Sequence, residues 1–507
     1  MEGAASYSDG AGLIRARCRR SAPQIHRGAR QTHVNDSRAQ VPSLGKRLAG
    51  LVALLAPCLL APCLLAGCNL GPRYHRPDIA PPSAWSGTDI GAAQWPSVDW
   101  WRGFGSAELD GLIGEAVHAN DDLAAAVARV RQADAQVRIA GAPLLPFLDA
   151  GVGAARESLT VPLPVIYNSF SAQLSATYQL DFWGKNLAAR AAAVALDNAS
   201  RFDRETVELS VLSSVANTYF TVLEVRDRLQ IAHDNLASAQ SILKGLQLDE
   251  SVGTSTGLDV AQQETVVATL SAAIPPLEQQ LRQSLDALAI LLGREPEGLA
   301  LKQASLGGVA EPPVLAGLPS ELLRRRPDVA NAEAQLISAN ADIREARAAL
   351  FPSIQLTASG GFESTTLSTL RRNGSRVFDI GAGITQPIFQ GGALIGQYQY
   401  SKARYAELLA DYHKAVISAF GNVEDSLIAV RESADQLARQ QNAVDKARRA
   451  YQFAQAQFHA GIINILTVLN TETALFTAQD SLVQVKLTHL QALVNLFNAL
   501  GGGWKYE

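Results

Sequence analysis

The chain has 507 residues, 47% of them hydrophobic, with 44 basic against 48 acidic side chains. That near-neutral balance, without interleaved basic and aromatic residues, argues against a nucleic-acid partner. All four cysteines (Cys18, Cys58, Cys63 and Cys68) lie in the first 68 residues, which leaves the remainder without an intrachain disulfide or a Cys-based metal site.

Residues 1–42 are polar, arginine-rich and without periodicity, as expected of an unstructured stretch. Met1 is the only methionine, and a true start downstream, at Val41 or Leu44, is the expectation. A secretory signal follows in 43–67. Lys46 and Arg47 precede an apolar run from Leu48 to Ala66, ending in Leu65-Ala66-Gly67-Cys68. A transmembrane helix is the alternative, opposed by Pro57 and Pro62 within the run. The ending resembles a bacterial lipobox. That resemblance implies an N-acyl diacylglycerol group, palmitate included, on Cys68, and no other cofactor. Asn69, not aspartate, follows the cysteine, which permits outer-membrane sorting.

Residues 68–106 begin with a Pro- and Gly-rich segment, expected to be an extended tether outside any core. Two copies of one unit come next, 107–293 and 320–501, joined by a connector at 294–319 and followed by a tail at 502–507. A shift of 206 aligns Asp122 with Asp328, Arg138 with Arg344 and Pro146 with Pro352. A shift of 208 aligns Glu224 with Glu432, Gly253 with Gly461 and Gly293 with Gly501. Each copy reads as helix, β-hairpin, very long helix, turn and return helix.

The hairpins are expected over 146–182 and 352–389. From Ser169 to Phe182 apolar and polar residues alternate without a break, and Ser353–Phe362 repeats the pattern. The partner strands alternate more loosely, with Gly151, Gly153, Gly381 and Gly383 on the polar side. Long strands with one apolar and one polar face suit an outer-membrane barrel, with lipid on one side and water on the other. A half-buried sheet in a soluble domain is the alternative, and two copies beside very long helices weigh against it. The long helices should run over roughly 186–250 and 392–458, about 100 Å each at ~1.5 Å per residue. Their apolar residues recur at three- and four-residue spacing, as in coiled-coil packing. Gly253 and Gly461 should end them. The return helices are expected over 257–293 and 465–499, the first interrupted at Pro275-Pro276.

Four strands cannot close a barrel, and membrane sheets must close. A dimer would supply eight strands and a trimer twelve. Strand number does not choose between them, but eight-stranded barrels are filled by side chains, so a conducting pore favours three chains. Tyr178, Phe182, Trp183 and Phe389 gather at the rim away from the hairpin tips, either as an interfacial aromatic girdle or as core aromatics.

At these residues the chain resembles the TolC-like outer membrane factors, and within them the NodT/OprM-type lipoproteins of drug-efflux systems. The resemblance rests on Cys68 to Tyr74 with Arg76-Pro77, on Leu318-Pro319-Ser320-Glu321 through Arg326-Pro327-Asp328, on Phe351-Pro352-Ser353, and on Gly461 with Leu466-Thr467-Val468-Leu469. It covers residues 68–504. It implies a mainly helical chain with membrane strands: a homotrimer whose twelve-stranded barrel stands on a coiled-coil periplasmic barrel. It also implies contact with outer-membrane lipid, a periplasmic adaptor (membrane fusion) protein and an inner-membrane pump of the resistance-nodulation-division type.

No catalytic constellation stands out, and Arg324-Arg325-Arg326 reads first as a source of structural salt bridges. Passive conduction through a gated tube is the expected mechanism, with the gate at the helix turns marked by Gly253 and Gly461. Family members narrow that end with acidic residues, and the matching positions here are Thr467 and Asn470, neither acidic. Asp259 matches an acidic position in the first copy. It is either one of three carboxylates near the pore axis, where like charges attract cations, or a helix-capping residue. Two rival classes remain: the outer channel of a type I protein-secretion system, and a non-conducting coiled-coil tether on a lipid anchor.

Overall fold

A computed structural model describes residues 71–82, 84–85, 95–159, 165–313, 317 and 319–506. The signal segment, Cys68 and residues 160–164 of the first hairpin tip lie outside the described residues.

The first copy of the repeat starts with two helices whose caps are readable. Ser106 accepts the Leu109 amide to start α1 (Ala107–Ala119), and Asn120 accepts the Leu123 amide to start α2 (Asp121–Gly141). Acidic residues fill both first turns, where the helix dipole favours them. After α2 come β1 (Phe147–Leu159), β2 (Val165–Leu180), α3 (Lys185–Ser251) and α4 (Gly257–Leu291). The second copy has α5 (Pro327–Ala348), β3 (Ser353–Ser364), β4 (Arg376–Thr385), α6 (Ala393–His459) and α7 (Ile465–Ala499). The long helices α3 and α6 both have 67 residues, and the return helices α4 and α7 both have 35. The expected helix boundaries hold to within two residues.

The four strands form one antiparallel sheet in the order β1-β2-β3-β4, so the two hairpins are neighbours. Strand β2 stops at Leu180, before Phe182, where Asp181 turns its carboxylate to the first turn of α3. Its two carboxylate oxygens accept the Asn186 and Leu187 amides at 3.0 and 2.7 Å. Strand β4 stops at Thr385, two residues before Pro387, which lacks an amide to donate to a ladder.

Helix α3 packs along α2, α4, α5 and α7, and α6 packs on α5 and α7. Apolar contact concentrates in three clusters along this length. Trp100, Phe104, Phe220 and Phe497 anchor the first, with Trp100 and Phe497 stacked at 5.1 Å. Tyr412, Val416, Leu336 and Leu496 form the second. Leu246, Val260, Tyr451, Ile465 and Val468 form the third, where the helices turn.

Two expectations are corrected. Pro275 and Pro276 do not interrupt the return helix; α4 is continuous through both. Ile274 and Leu277, on either side of the pair, are buried and hold the helix in place. The carbonyls that lose amide partners belong to Ser271 and Ala272, which are exposed to water. The tether is extended, with neither helix nor strand over residues 71–82, but it is not outside the core. Trp85 is 5% exposed, donates to the Gly317 carbonyl at 2.6 Å and packs on Phe420. Further back, Tyr74 and Arg76 both bind the Glu333 carboxylate on α5.

Arg326 plays the structural part expected of the arginine run. It grips Asp328 with two nitrogens and donates to the Ala499 carbonyl at the end of α7. Arg325 lies over the Trp95 ring at 4.6 Å.

Phe104 is fully buried, and its ring meets Phe220 and Phe497 at 5.0 and 6.2 Å between centroids. Phe104→Ala should cost about 3–5 kcal/mol. The expected outcome is a clear fall in the apparent melting temperature of the helical circular-dichroism signal in detergent.

Candidate functional site

The strand register separates two faces. Leu148, Val152, Ala172, Leu174, Ala176, Leu356, Ala358, Ile380 and Ile384 share one. Ala176 stands opposite Ala358, and Ala358 opposite Ile380. The other face pairs Ser175 with Ser359, Thr177 with Thr357 and Gln179 with Gln355. Its few large apolar residues (Phe147, Leu159, Val165 and Val377) sit at strand ends. Gly151 and Gly153 face Gln173 and Ser171, while Gly381 and Gly383 face Thr357 and Gln355, so the loosely patterned strands contribute glycine to the polar face.

The apolar face has no cover among the described residues: Val152 is 88% exposed and Ile380 79%. Exposure of this kind marks an interaction surface. Strands β1 and β4 are the outer strands of the sheet, so one hydrogen-bonding edge of each lacks a strand partner among the described residues. Every carboxylate within the strands is on the polar face. Asp149 stands opposite Ser175, Glu157 opposite Tyr167, Glu363 opposite Ser171 and Asp379 opposite Ser359. Sequence reading missed these acids, although odd-numbered position in β1, β3 and β4 was enough to find them.

The four rim aromatics are not equivalent. Tyr178 lies on the apolar face opposite Leu356. Phe182 and Trp183 stand in the turn after β2. Trp183 packs on Phe351 at 4.9 Å and donates to the Pro352 carbonyl at 2.8 Å, which ties the two hairpin bases together. Phe389 is 87% exposed.

At the far end of the long helices the two turns have the same construction. Gly253 and Gly461 have φ of 79° and 70°, values that suit a residue without a Cβ. The Thr254 amide reaches the Asp249 carbonyl and the Gly253 amide the Glu250 carbonyl. Ile462 and Gly461 repeat this with Gln457 and Phe458. Both are Schellman motifs. The helices that leave the turns are capped differently. Thr256 and Asp259 form a reciprocal capping box, with Asp259 Oδ2 accepting the Thr256 amide at 2.9 Å and the Thr256 hydroxyl at 2.7 Å. These bonds hold the Asp259 carboxyl below its usual pKa. In the second copy Asn464 is the cap, accepting the Thr467 amide and hydroxyl at 3.2 and 3.1 Å. Thr467 and Asn470 are exposed. The structure therefore brings all five tip residues to one end and gives Asp259 and Thr467 capping bonds.

Behind the turns lies a feature with no local signal in the sequence. Glu472 on α7 is fully buried. Its Oε1 accepts from the Tyr451 hydroxyl of α6 at 3.3 Å, and that hydroxyl meets Ser238 of α3 at 3.4 Å. Glu472 Oε2 has no partner among the described residues. Burial pushes the carboxyl up to about 7, against the lowering pull of the Tyr451 and Ser238 hydroxyls. Only the packing of three helices makes this site visible. Among the described residues, no group of three or more His, Cys, Asp or Glu is placed to hold a metal ion.

A sheet with one lipid-suited face, one polar face and two open edges, mounted on helices about 100 Å long, defines an outer-membrane channel of the TolC-like type. The chain belongs to the outer membrane efflux protein family, whose model matches residues 112–294 and 318–502, one segment for each copy of the repeat. It is 42% identical over 441 residues to the pyoverdine export outer membrane protein OpmQ of Pseudomonas aeruginosa, covering 85% of this chain and 92% of that one. It is 33% identical over 416 residues to the toluene efflux pump outer membrane protein TtgF of Pseudomonas putida, covering 80% and 86%. Among solved structures it superimposes on the Campylobacter jejuni CmeC outer membrane channel with a TM-score of 0.81 at 25% identity, covering 87% and 96%. The open-state MtrE outer membrane channel of Neisseria gonorrhoeae gives 0.80 at 27%, covering 87% and 99%. The protein is an efflux channel of a Gram-negative outer membrane.

Because the folded state holds Glu472 protonated more tightly than the usual 4.5, it binds more protons than the unfolded chain between about pH 4.5 and 7. Stability from this group is full below that window and is lost as pH rises through it. Glu472→Gln should therefore raise the apparent melting temperature at pH 8 and leave it nearly unchanged at pH 4.5. Parallel melts of both proteins across the range check this, and equal shifts at the two ends would contradict it.

Proposed function

We propose that three copies of this chain close their sheets edge to edge into a twelve-stranded barrel and act as the passive exit duct of a tripartite efflux system. The observation that carries this reading is the four-stranded sheet whose apolar face and outer edges are both unsatisfied among the described residues. Backbone groups in lipid must be paired, and joining β4 of one copy to β1 of the next pairs them. Three copies leave a lumen lined by the polar face, whereas two would fill it.

In this reading Cys68 carries the diacylglycerol and N-acyl groups that anchor the mature chain, and no other cofactor is used. Tyr178, Phe182, Trp183 and Phe389 sit at the inner membrane-water boundary. The turn end, with Gly253, Asp259, Gly461, Thr467 and Asn470, is the periplasmic gate and meets an adaptor and a resistance-nodulation-division pump. The pump selects the cargo, and the duct conducts small organic molecules. The relative named for pyoverdine export makes a siderophore the first cargo to test, ahead of the solvents named in more distant relatives.

Purified mature protein should run as a single trimeric species in detergent and give discrete conductance steps in a planar bilayer. A folded protein that stays monomeric and never conducts would overturn the reading and favour a tether. The Asp259 carboxylate is exposed enough to act on passing ions while it caps its helix. Asp259→Ala should lower cation selectivity and, through the lost cap, cost about 1 kcal/mol of stability. Unchanged selectivity would leave Asp259 with capping alone.

A further inference from the structure

The apolar face of the sheet carries two charged residues, both arginine and both on edge strands. Arg156 of β1 follows the outward-facing series Leu148, Ala150, Val152 and Ala154, and it stands opposite Asn168. Arg376 of β4 ends the series Ile384, Ala382, Ile380 and Phe378, opposite Phe362. Each lies eight residues from the apolar residue that starts its series at the helical end. A strand tilted by about 40° climbs roughly 20 Å in that distance, close to the height of a barrel's apolar band of about 25 Å. Both guanidinium groups are thus at the outer limit of the hydrocarbon.

Both arginines are exposed, and neither has a carboxylate partner among the described residues. The strand carboxylates are all on the opposite face. The adjoining tip of the second hairpin adds Arg371 and Arg372, with no acidic residue between Glu363 and Asp379. That tip is held in place: Ser375 donates to the Thr369 carbonyl at 2.8 Å, and the Thr369 hydroxyl meets those of Ser364 and Thr366. Arginines at the edge of hydrocarbon turn their charged heads to the interface, where lipid phosphates lie, and the planar guanidinium fork matches phosphate.

We infer that Arg156 and Arg376, from neighbouring copies and with Arg371 and Arg372 above them, form a binding site for the phosphate groups of an outer-leaflet glycolipid. The inference rests on the trimeric barrel proposed above, because only closure places β4 of one copy beside β1 of the next. Each subunit seam then carries one site, completed by two chains. Charge complementarity selects the occupant: acyl chains lie on the apolar face below, and the phosphates meet the arginines at its rim. The lipid would thereby clamp the seam that closes the barrel.

The test uses delipidated mature trimers of the wild type and of the Arg156→Gln/Arg376→Gln double variant. Rough lipopolysaccharide is titrated in detergent, with the same material stripped of its phosphates and with phosphatidylglycerol as separate arms. Retained lipid is counted by native mass spectrometry, and trimer dissociation is followed on heating. Wild-type trimers should retain the phosphorylated glycolipid and dissociate at a higher temperature when it is bound. The double variant should bind it at least about tenfold more weakly, since each charge-assisted bond is worth on the order of tenfold. Arg371→Gln/Arg372→Gln, confined to the tip, should give a smaller loss. Equal binding by wild type and double variant, or equal binding of the stripped glycolipid, overturns the site. Phosphatidylglycerol binding as tightly as the glycolipid overturns the choice of occupant. Conductance is recorded on the same preparations: a conducting wild-type trimer indifferent to the glycolipid sinks this inference alone, while a wild type that never trimerises sinks the barrel with it.

Discussion

A backbone amide in hydrocarbon has no water to turn to, and this one constraint governs the sheet and everything attached to it. The described residues make four strands and leave the outer ladder edges of β1 and β4 open among themselves. No helix among the described residues is long and apolar enough to cross a membrane. The hairpins suit lipid through their own apolar face, exposed at Val152 and Ile380. Their pairing with one another satisfies the inner ladder edges, and in the proposed trimer it supplies a third of the closure. The pattern of side chains follows from the same demand. Apolar residues cover the face that meets lipid, and the serines, threonines, glutamines and carboxylates are sent to the other.

Below the sheet the governing interaction changes from ladder hydrogen bonds to helix packing. The long helices are only weakly amphipathic, because they have neighbours on more than one side and no single buried stripe. Their stability is gathered at a few places where large residues meet. The aromatic cluster around Phe104 and Phe497, the Tyr412 cluster and the turn-end cluster around Tyr451 and Val468 are such places. Polar groups caught in this packing have their protonation shifted by it. Glu472 is paired with a hydroxyl and no cation, so burial decides its protonation. Glu224 is buried in a similar way, yet Arg228 reaches it and Asp480 together, and part of the burial cost is offset by charge.

Much of this was readable in the sequence, and the reasons are local. Period-2 alternation in β2 and β3, glycine at both turns and the absence of proline from α3 and α6 each act through a few adjacent residues. The two-copy register then carried each reading from one half to the other. What escaped depends on distant partners. Trp85 looked like part of a loose tether because the residue it binds, Gly317, is 232 positions away. The Pro275-Pro276 pair looked like a break because the buried neighbours that anchor α4 on either side cannot be seen from composition. Glu472 looked like any helical glutamate. The division of Asp259 and Thr467 into two kinds of cap was within reach, since Thr256 and Asn464 sit three residues before them.

The equal helix lengths in the two copies constrain how this architecture can change. Helices of 67 residues in each half, followed by returns of 35, end at a common level. One inserted residue would move a turn by about 1.5 Å and rotate everything beyond it by about 100°. It would also set that turn out of step with its counterpart. A longer or shorter duct is therefore reached only by matched changes in both halves, in steps close to whole helical repeats. The span of the protein across its compartment is in that sense quantised, and its inheritance is tied to a duplication that must be edited twice.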